Sequence, residues 1–390
     1  MNTVIIKGKD YQVPEIFENL INEDSSFSIY SEKEFQNQSK IFKEIKSGKY
    51  IIPGQTDVSS YERIYRVLTE RTDELISFDQ MQQISKRSFS RNTKTEYDKL
   101  RNKILDRLLL VAENDIIVSL KEYPELRFAS SFCGEDLYEY SGMSFLLPYR
   151  FYKNLTMSLA EKIYINELQS EICAGINVLL PRSQETTSLF AGAMDLLKIK
   201  SDMKIIDMGC GSGVLTILAD RKLDSCDIYF SDILPESAAS TIYNIEKNYG
   251  NNFKDDAGIL SCDSEKNRFI CCRSGDLFEK IENKFDLIMF NPPWIDSEFR
   301  NRSERALNDK DQKLVERFLK QSKYMLNKEG KIVLAYSDNS GDKVVGRFNT
   351  FIDENGYNTE HELKDKIQSR QSGRKWMNIF VKILTLENGR

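Results

Sequence analysis

The segment that most constrains the fold lies near the middle of the chain, where an apolar strand runs directly into a glycine-rich loop and then into a helix. The segment reads Ile205-Ile206-Asp207-Met208-Gly209-Cys210-Gly211-Ser212-Gly213-Val214. Three glycines at alternate positions let the backbone turn sharply and approach a ligand closely, while the following helix presents free N–H groups. This order predicts a nucleotide-binding loop at the carboxyl end of a strand.

The residues around this loop alternate between apolar strands and helices, which predicts a doubly wound, mainly parallel, Rossmann-like α/β sheet. We expect strands at 204–208, 227–231, 268–272, 285–290, 331–336 and 376–384, and helices at 212–221, 236–248 and 309–326. Ahead of them, short apolar segments at 162–166 and 176–181 suggest a hairpin. Ligands of such sheets bind at the carboxyl ends of the strands.

The first 160 residues have a different pattern, and 390 residues exceed what one hydrophobic core usually organises. Apolar residues recur at spacings of three and four within 61–68 and 100–110, as in helices with one buried face. We therefore expect residues 1–160 to form a helix-rich N-terminal domain that recognises the substrate. Residues 161–390 would form the catalytic domain.

The glycine spacing distinguishes two kinds of ligand. A dinucleotide-binding loop has the pattern G-x-G-x-x-G, but the position five residues after Gly209 is Val214. The spacing therefore disfavours a dehydrogenase. S-adenosylmethionine carries an ammonium, a sulfonium and an adenosine but no pyrophosphate, so carboxylates would replace a phosphate cradle. Aspartates at the strand ends favour this cofactor.

Three aspartates near the strand ends have expected contacts with the cofactor. Asp207 is expected to meet its cationic amino-acid end, through water or backbone. Asp232 is placed to accept both ribose hydroxyls, with a helix N-cap as its alternative role. Asp276 is expected to accept from the adenine amine, with a simple turn aspartate as the alternative. The expected cofactor-binding set is Asp207, Met208, Gly209, Cys210, Gly211, Gly213, Asp232, Ile233, Asp276, Leu277 and Asn291.

A second motif, Asn291-Pro292-Pro293-Trp294, follows the strand at 285–290. Prolines cannot donate to a ladder, so two in succession end the strand and fix an extended loop. Loop rigidity alone would be one purpose. Because the motif follows a strand in the same sheet as the glycine loop, we expect all four residues to be catalytic.

The motif suits methyl transfer to nitrogen. An amide or aromatic amine nitrogen is a poor nucleophile because its lone pair is delocalised. If the side-chain oxygen of Asn291 and the carbonyl of Pro292 each accept one N–H, the lone pair is aimed at the sulfonium methyl. Trp294 would stack on the planar acceptor. This chemistry needs no histidine, which agrees with a chain that has only one, His361.

At these residues the chain resembles class I S-adenosylmethionine-dependent methyltransferases with an N-P-P-[YFW] motif, most closely the release-factor and ribosomal-protein glutamine N-methyltransferases. Two further segments share the likeness: residues 178–186 resemble that family's V-L-I-P-R-P-E-T, and residues 275–278 resemble its S-D-x-F. The resemblance covers roughly residues 162–340.

The resemblance also implies residue roles, with cofactor contacts at 207–211, Asp232, Leu277 and Asn291, and acceptor contacts at 291–294. The chain departs from the family pattern in three ways. Trp294 replaces the usual tyrosine, Ser183 and Gln184 interrupt the P-R-P-E-T pattern, and the N-terminal domain is longer and matches nothing in the family.

Charge bears on the methyl acceptor. The chain has 55 Lys and Arg against 60 Asp and Glu, whereas proteins that grip structured nucleic acid usually display a basic face. We therefore expect a nitrogen of a protein, peptide or small molecule as acceptor. The alternative is the exocyclic amine of adenine in RNA or DNA, which only the basic segment 86–107 favours. An alternative of another class is a non-catalytic binding or scaffold subunit that retains this fold.

Composition also bears on location and metal content. No apolar run approaches the ~18 residues that a membrane span needs, and the N-terminus becomes charged too early for a signal peptide. We expect a cytoplasmic protein without membrane contact. Seven cysteines without C-x-x-C spacing and a single histidine predict reduced thiols and no metal site.

Overall fold

The computed structural model describes residues 2–76, 91–122, 124–135, 142–197, 201–256, 258–272, 274–368 and 376–387. The chain divides into two compact units, Met1–Met157 and Ser158–Arg390. Both motifs fall in the second unit. Within the described residues, no helix combines the length and apolar character that crossing a membrane requires.

The first unit combines helices with two sheets. Its described strands are β1 (Asn2–Ile6), β2 (Lys9–Val13), β3 (Phe27–Tyr30), β4 (Tyr50–Pro53), β5 (Leu109–Glu113), β6 (Ile116–Ile117) and β7 (Ser144–Pro148). Its described helices are α1 (Glu32–Phe35), α2 (Gln38–Lys46), α3 (Val58–Glu70), α4 (Thr72–Leu75), α5 (Arg91–Leu105), α6 (Ala129–Phe132) and α7 (Tyr149–Ala160), whose last residues belong to the second unit. One sheet has the order β1-β2-β7-β5-β6, and β3 pairs in parallel with β4.

Helix α3 confirms the amphipathic segment 61–68, whereas α5 contains only residues 100–105 of the segment 100–110. The helical interpretation also missed the sheets of this unit. Helix α5 ends at Leu105, and residues 109–113 continue as β5, whose first four residues are buried. A short apolar run buried on both faces has no periodicity that separates strand from helix. Of the basic segment 86–107, residues 86–90 lie outside the described residues.

The second unit contains the βα alternation. Its described strands are β8 (Lys162–Ile165), β9 (Ser170–Cys173), β10 (Lys204–Met208), β11 (Asp227–Ser231), β12 (Lys254–Asp256), β13 (Ile259–Asp263), β14 (Arg268–Cys271), β15 (Phe285–Phe290), β16 (Leu326–Ser337), β17 (Tyr357–Gln368) and β18 (Trp376–Leu386). Its described helices are α8 (Gln184–Leu196), α9 (Val214–Lys222), α10 (Pro235–Tyr249), α11 (Lys313–Met325) and α12 (Asp342–Glu354).

Nine of these strands form one sheet of order β12-β13-β14-β11-β10-β15-β16-β18-β17. The five strands from β14 to β16 pair in parallel, while β12 and β13 at one edge and β18 and β17 at the other pair antiparallel. The predicted doubly wound, mainly parallel, Rossmann-like sheet is confirmed. Its central strands are almost wholly buried, as parallel strands covered on both faces are.

Several elements differ from the sequence-based expectation. The hairpin exists, but β8 pairs with β9 at residues 170–173, and residues 176–181 form no strand. Helix α11 begins at Lys313 rather than at 309, because Asp311 and Gln312 have positive φ angles of 58° and 56° and interrupt the helix. Helices α8 and α12 and strands β12, β13 and β17 were not predicted.

One buried side chain joins the hairpin to the glycine loop. Asn244 of α10 is 1% exposed and accepts from the backbone N–H of Cys173 at 3.1 Å. Its amide nitrogen donates to the carbonyl oxygens of Cys173, at 2.7 Å, and Ser212, at 2.8 Å. Each of these backbone groups is buried with Asn244 as its partner, so the side chain fixes the loop against α10.

We predict that Asn244→Ala lowers the free energy of unfolding of the second unit by about 2–4 kcal/mol, because three backbone groups lose their hydrogen bond. Urea denaturation measures the change. Asn248→Ala is the matched control. The half-buried Asn248 lies one turn further along α10 and donates only to the carbonyls of Glu171 and Asn244. We therefore expect a loss below about 1 kcal/mol. Equal losses in the two variants would contradict the role of Asn244.

Candidate active site

Parallel pairing of three central strands brings the two motifs to one edge of the sheet. Met208, the last residue of β10, pairs with Ser231 of β11 on one side and with Phe290 of β15 on the other. The residues that follow Met208, Ser231 and Phe290 therefore lie at the same level, at the carboxyl edge where ligands of such sheets bind. These three residues are Gly209, Asp232 and Asn291.

The glycine loop is held by its backbone to the end of β11. The N–H groups of Gly209 and Cys210 donate to the carbonyl of Ser231 at 2.8 and 3.0 Å. The side chains of Met208 and Cys210 are buried in the protein. Any contact of these two residues with a ligand is therefore through backbone atoms.

Gly211 and Gly213 both have positive φ, at 54° and 83°, but they face different surroundings. A side-chain carbon added at Gly211 would meet no atom within 4 Å, so this glycine borders open space. A carbon added at Gly213 would lie 2.8 Å from the methyl group of Thr241. Gly213 therefore allows α9 to start close against α10, while Gly211 leaves open space at the loop.

Asp207 is engaged inside the protein rather than turned toward a ligand. Its Oδ2 accepts from the backbone N–H of Thr216 at 2.9 Å and from the Thr216 hydroxyl at 2.6 Å, in the first turn of α9. Burial raises the pKa of Asp207 to about 7. The carboxylate thus orders the glycine loop directly, and its role at the cationic end of the cofactor stays a prediction.

Asp232 links the glycine loop to the turn before α10. Its Oδ2 accepts from the backbone N–H of Gly211 at 3.1 Å and its Oδ1 from that of Leu234 at 2.9 Å. The N-cap residue of α10 is Leu234, so Asp232 is not the cap that its alternative role required. Burial raises the pKa of Asp232 to about 6, although both backbone donors lower it.

Asp276 and Leu277 are the residues expected at the adenine, and Ile233 is a further member of the expected cofactor-binding set. Ile233 is 39% exposed and therefore presents an apolar surface directly after Asp232. Leu277 is buried with a φ of 54°, and the N–H of Gly275 donates to the carbonyl of Asp232 at 3.2 Å. The carboxylate of Asp276 accepts both guanidinium bonds of Arg317, at 2.6 and 3.0 Å, so contact with an adenine amine would require it to exchange this partner.

The N-P-P-W segment presents one free polar side chain. Asn291 is exposed, and its side-chain amide bonds to none of the residues that the structure describes. Pro292, Pro293 and Trp294 line a cavity of about 10 Å³ on the other side of the segment. The indole N–H of Trp294 is buried there, bonded to no described residue, so this edge of the ring faces the protein interior. Stacking of Trp294 on an acceptor stays a prediction.

Two serine hydroxyls that the sequence analysis did not single out border the same site. Ser231 precedes Asp232, and Ser274 precedes the Gly275 whose N–H contacts Asp232. They are 1% and 7% exposed, and neither Oγ has a hydrogen-bond partner among the described residues. Their isolated positions in the sequence carry no pattern that would have identified them.

These groups fit the cofactor predicted from the sequence. S-adenosylmethionine needs acceptors for ribose hydroxyls, an apolar surface for a ring, and no phosphate-binding cations. Asp232 beside the open face of Gly211, the exposed Ile233, and the buried hydroxyls of Ser231 and Ser274 supply such a set. The donor set thus agrees with an adenosine carrying a cation.

The two glycines make a matched pair for a stability test. We predict that Gly213→Ala lowers the free energy of unfolding by about 2–4 kcal/mol, since a positive φ and a clash with Thr241 add together. Gly211→Ala has the positive φ without the clash, and we expect about 1–2 kcal/mol. Thermal denaturation of both variants checks the difference, and an equal loss in both would show that Gly213 has no packing role.

A second prediction concerns the pH dependence of cofactor affinity. An ionised Asp232 accepts hydroxyl bonds, and because its pKa is raised, protonation begins near pH 6 rather than near pH 4. The affinity for S-adenosylmethionine should therefore fall as the pH drops through 6, and Asp232→Ala should lose about 1.5–3 kcal/mol of binding at pH 8.

Asp232→Asn is the control for this titration, because it keeps the shape of the side chain but cannot ionise. Calorimetry at pH 5 to 8 gives the dissociation constants of both proteins. We expect the ratio of variant to unmutated dissociation constant to grow with pH and to level off above about pH 7. A ratio that does not change with pH would show that ionised Asp232 does not bind the cofactor.

Comparison with known proteins shows similarity to methyltransferases, whose methyl donor is the cofactor that the site fits. Residues 184–358, a little under half of the chain, match the methyltransferase small domain family. Ribosomal protein L11 methyltransferase of Thermosipho melanesiensis is 30% identical over 27% of this chain and 34% of that protein. Release factor glutamine methyltransferase of Buchnera aphidicola subsp. Baizongia pistaciae is 31% identical over 34% of this chain and 41% of that protein.

The chain is also similar to a methyltransferase that is named for ribosomal RNA rather than for a protein. Ribosomal RNA small subunit methyltransferase C of Actinobacillus pleuropneumoniae serotype 5b is 26% identical over 33% of this chain and 31% of that protein. The chain thus spans less than half the length of each of these three relatives. The expected likeness to glutamine and ribosomal-protein methyltransferases is confirmed. Residues 184–358 of the second unit therefore match a methyltransferase small domain, and this part of the chain is similar to S-adenosylmethionine-dependent methyltransferases.

Proposed function

We propose that this protein transfers a methyl group from S-adenosylmethionine to a nitrogen atom of a protein, peptide or small-molecule acceptor. One observation carries the proposal: the exposed side-chain amide of Asn291 has no partner among the described residues and stands level with Gly209 and Asp232. A polar group left free beside a cofactor loop is available to bind the acceptor. Among its neighbours at this edge, Asp207 and Asp232 already accept protein hydrogen bonds.

Residues on one side of β10 would bind the cofactor, and residues on the other side would bind the acceptor. On the β11 side, Asp232, Ile233 and the backbone of residues 209–211 would hold the cofactor, which supplies an electrophilic methyl group on a sulfonium. On the β15 side, the side-chain oxygen of Asn291 and the carbonyl of Pro292 would accept the two N–H bonds of a planar acceptor. Fixing that plane directs the nitrogen lone pair, so positioning and preorganised polar groups provide the catalysis. The acceptor's extra proton then leaves to water.

The names of the relatives indicate two acceptor classes, protein and ribosomal RNA. The charge of the chain favours the protein class, because Lys and Arg do not exceed Asp and Glu. The loop that follows the motif, residues 295–312, has four basic and five acidic residues, which also provides no phosphate-binding surface. We infer that the acceptor is a protein or peptide nitrogen and that the first unit, residues 1–157, contributes to its recognition.

Methylation of an adenine amine in RNA or DNA is the second candidate. The similarity to a ribosomal RNA methyltransferase favours it, and the N-P-P-W segment suits an aromatic amine as well as an amide. Labelled-methyl transfer from S-adenosylmethionine into separated protein, RNA and small-molecule fractions of a host extract distinguishes the candidates. Label in the protein fraction supports the first proposal, and label only in RNA replaces it with the second.

A non-catalytic scaffold role would require that the site no longer binds the cofactor. Calorimetry with S-adenosylmethionine tests this alternative directly. Binding that is weakened in Asp232→Ala supports an enzyme, whereas absence of binding to the unmutated protein would support the scaffold.

We predict that Asn291→Ala lowers the single-turnover rate by about 10²–10³, which is about 2.7–4 kcal/mol, because one preorganised acceptor aimed at the reacting nitrogen is lost. The affinity for S-adenosylmethionine should change much less, because Asp232 and the glycine loop remain. Rapid-quench measurement of labelled-methyl transfer gives the rate, and calorimetry gives the affinity.

Asn291→Asp is the companion variant, because it keeps an acceptor oxygen and adds a charge that can hold the sulfonium too tightly. We expect partial activity in this variant. Normal single-turnover chemistry in Asn291→Ala would contradict the nitrogen-acceptor mechanism.

A further inference from the structure

The loop of residues 295–312 that follows the N-P-P-W segment is folded by its own hydrogen bonds. The N–H of Ile295 donates to the carbonyl of Leu307, and the N–H of Asp309 donates to the carbonyl of Ile295, both at 2.9 Å. At its base, the Oδ1 of Asp296 accepts from the N–H of Asp311 at 2.9 Å, and the N–H of Asp296 donates to Ser340 at 2.9 Å. The loop is therefore a defined structure fixed to the start of α12.

The tip of this loop makes a forked ion pair with a buried carboxylate. The Nη2 of Arg302 donates to the Oε2 of Glu236 at 2.9 Å, and its Nε donates to the Oε1. The side chain of Glu236 is fully buried, while that of Arg302 is one-third exposed. The Nδ2 of Asn177 also donates to Oε1 of Glu236, at 3.3 Å. The buried carboxylate of Glu236, at the start of α10, thus bonds both to Asn177 in the segment before α8 and to Arg302 in the loop after β15.

The strand order determines where the loop must pass. Strand β10 lies between β15, from which the loop leaves, and β11, which leads into the helix that carries Glu236. Adjacent strands are about 4.8 Å apart, so β15 and β11 are about 10 Å apart, and the loop must cover this distance to bring Arg302 to Glu236. Both ends are at the carboxyl edge. The loop therefore crosses the end of β10, where the glycine loop lies.

The ion pair also lies next to the expected ribose contact. Glu236 is four residues after Asp232, and its charge is one of the influences that raise the pKa of Asp232. Arg302 places a positive charge directly beside the fully buried carboxyl group of Glu236. A shift of the turn at 232–236 therefore moves Glu236 relative to Arg302, and loss of the ion pair alters the position of the turn.

We propose that Arg302 is a positioning residue whose ion pair with Glu236 holds residues 295–302 over the glycine loop. This proposal rests on the proposed function, because it makes the loop the cover of a compartment that encloses the acceptor at Asn291 together with the methyl donor. Cofactor binding at Asp232 and closure of the loop then favour each other, since such coupling is reciprocal. Arg302 acts through the loop and touches no reacting atom.

Limited trypsin digestion of the full-length protein tests the proposal, because Arg300, Arg302, Arg305 and Lys310 are cleavage sites within the loop and the site after Arg300 is present in every variant. The rate of cleavage after Arg300 is followed by mass spectrometry with and without saturating S-adenosylhomocysteine. We expect this ligand to slow cleavage of the unmutated protein by about tenfold, within the usual range of coupling between two sites. Arg302→Ala should be cleaved faster without ligand and be slowed less than about twofold by it.

Two further variants distinguish a positioning role from a general loss of structure. Arg302→Lys keeps the charge but not the fork, and we expect it to recover part of the ligand-dependent protection. Arg305→Ala is the matched control, since Arg305 stacks on Phe299 in the same loop, and it should retain the full protection. If Arg302→Ala fails to fold because Glu236 is left unpaired, the double variant Arg302→Met with Glu236→Gln removes the pair without leaving a buried charge.

Ligand-dependent protection in Arg302→Ala or in the neutral double variant that equals that of the unmutated protein would overturn the proposal. Calorimetry with S-adenosylhomocysteine separates this failure from failure of the proposed function. If the unmutated protein does not bind the ligand, the proposed function is wrong. Faster cleavage of ligand-free Arg302→Ala would still support Arg302 as the residue that holds the loop.

Discussion

Parallel backbone pairing of β10 with β11 and β15 is the interaction on which the site depends. Its register makes Met208 the partner of both Ser231 and Phe290, and the residues that follow them meet at one level. Gly209 and Cys210 extend the contact by donating to the carbonyl of Ser231. A change of one residue in either register would move Asp232 or Asn291 away from the glycine loop. The sheet, rather than any single side chain, sets the distance between the donor side and the acceptor side.

The second constraint is the concentration of negative charge at this edge. Asp207 and Asp232 have pKa values raised by burial, and Glu236 is fully buried with Arg302 as its partner. A nearby cation favours the ionised form of such carboxylates. A sulfonium ligand is such a cation, so these carboxylates favour a positively charged cofactor. The same reasoning explains why the loop that covers the site carries an arginine at its tip.

Much of this arrangement could be predicted from the sequence. The strands 204–208, 227–231 and 285–290 were predicted with the bounds that the structure gives, because each is a buried apolar run that ends in a recognisable turn. Contacts between distant residues could not be predicted. Asp276 pairs with Arg317 and Glu236 with Arg302, and no local pattern connects either pair.

Elements without a distinctive pattern were also missed. Strand β12 is exposed at every residue and sits at a sheet edge, so no burial imposes an alternation on its sequence. In the first unit, strand β5 follows closely after Ile104 and Leu105, the apolar residues at the end of α5. The second hairpin strand was placed at 176–181, although the actual strand at 170–173 includes the polar residues Ser170 and Glu171.

The central claim is that the methyl group is attached to nitrogen, and the chemistry of the labelled product tests it most directly. The product of a reaction with methyl-labelled S-adenosylmethionine is hydrolysed in strong acid, and volatile label is collected first from the acid, as methanol would be, and then after the hydrolysate is made alkaline, which frees methylamine from its salt. An N-methylated amide releases its label as methylamine, which is the result we predict. Release as methanol, or label that stays on a carbon or sulfur atom, would contradict a nitrogen acceptor at Asn291.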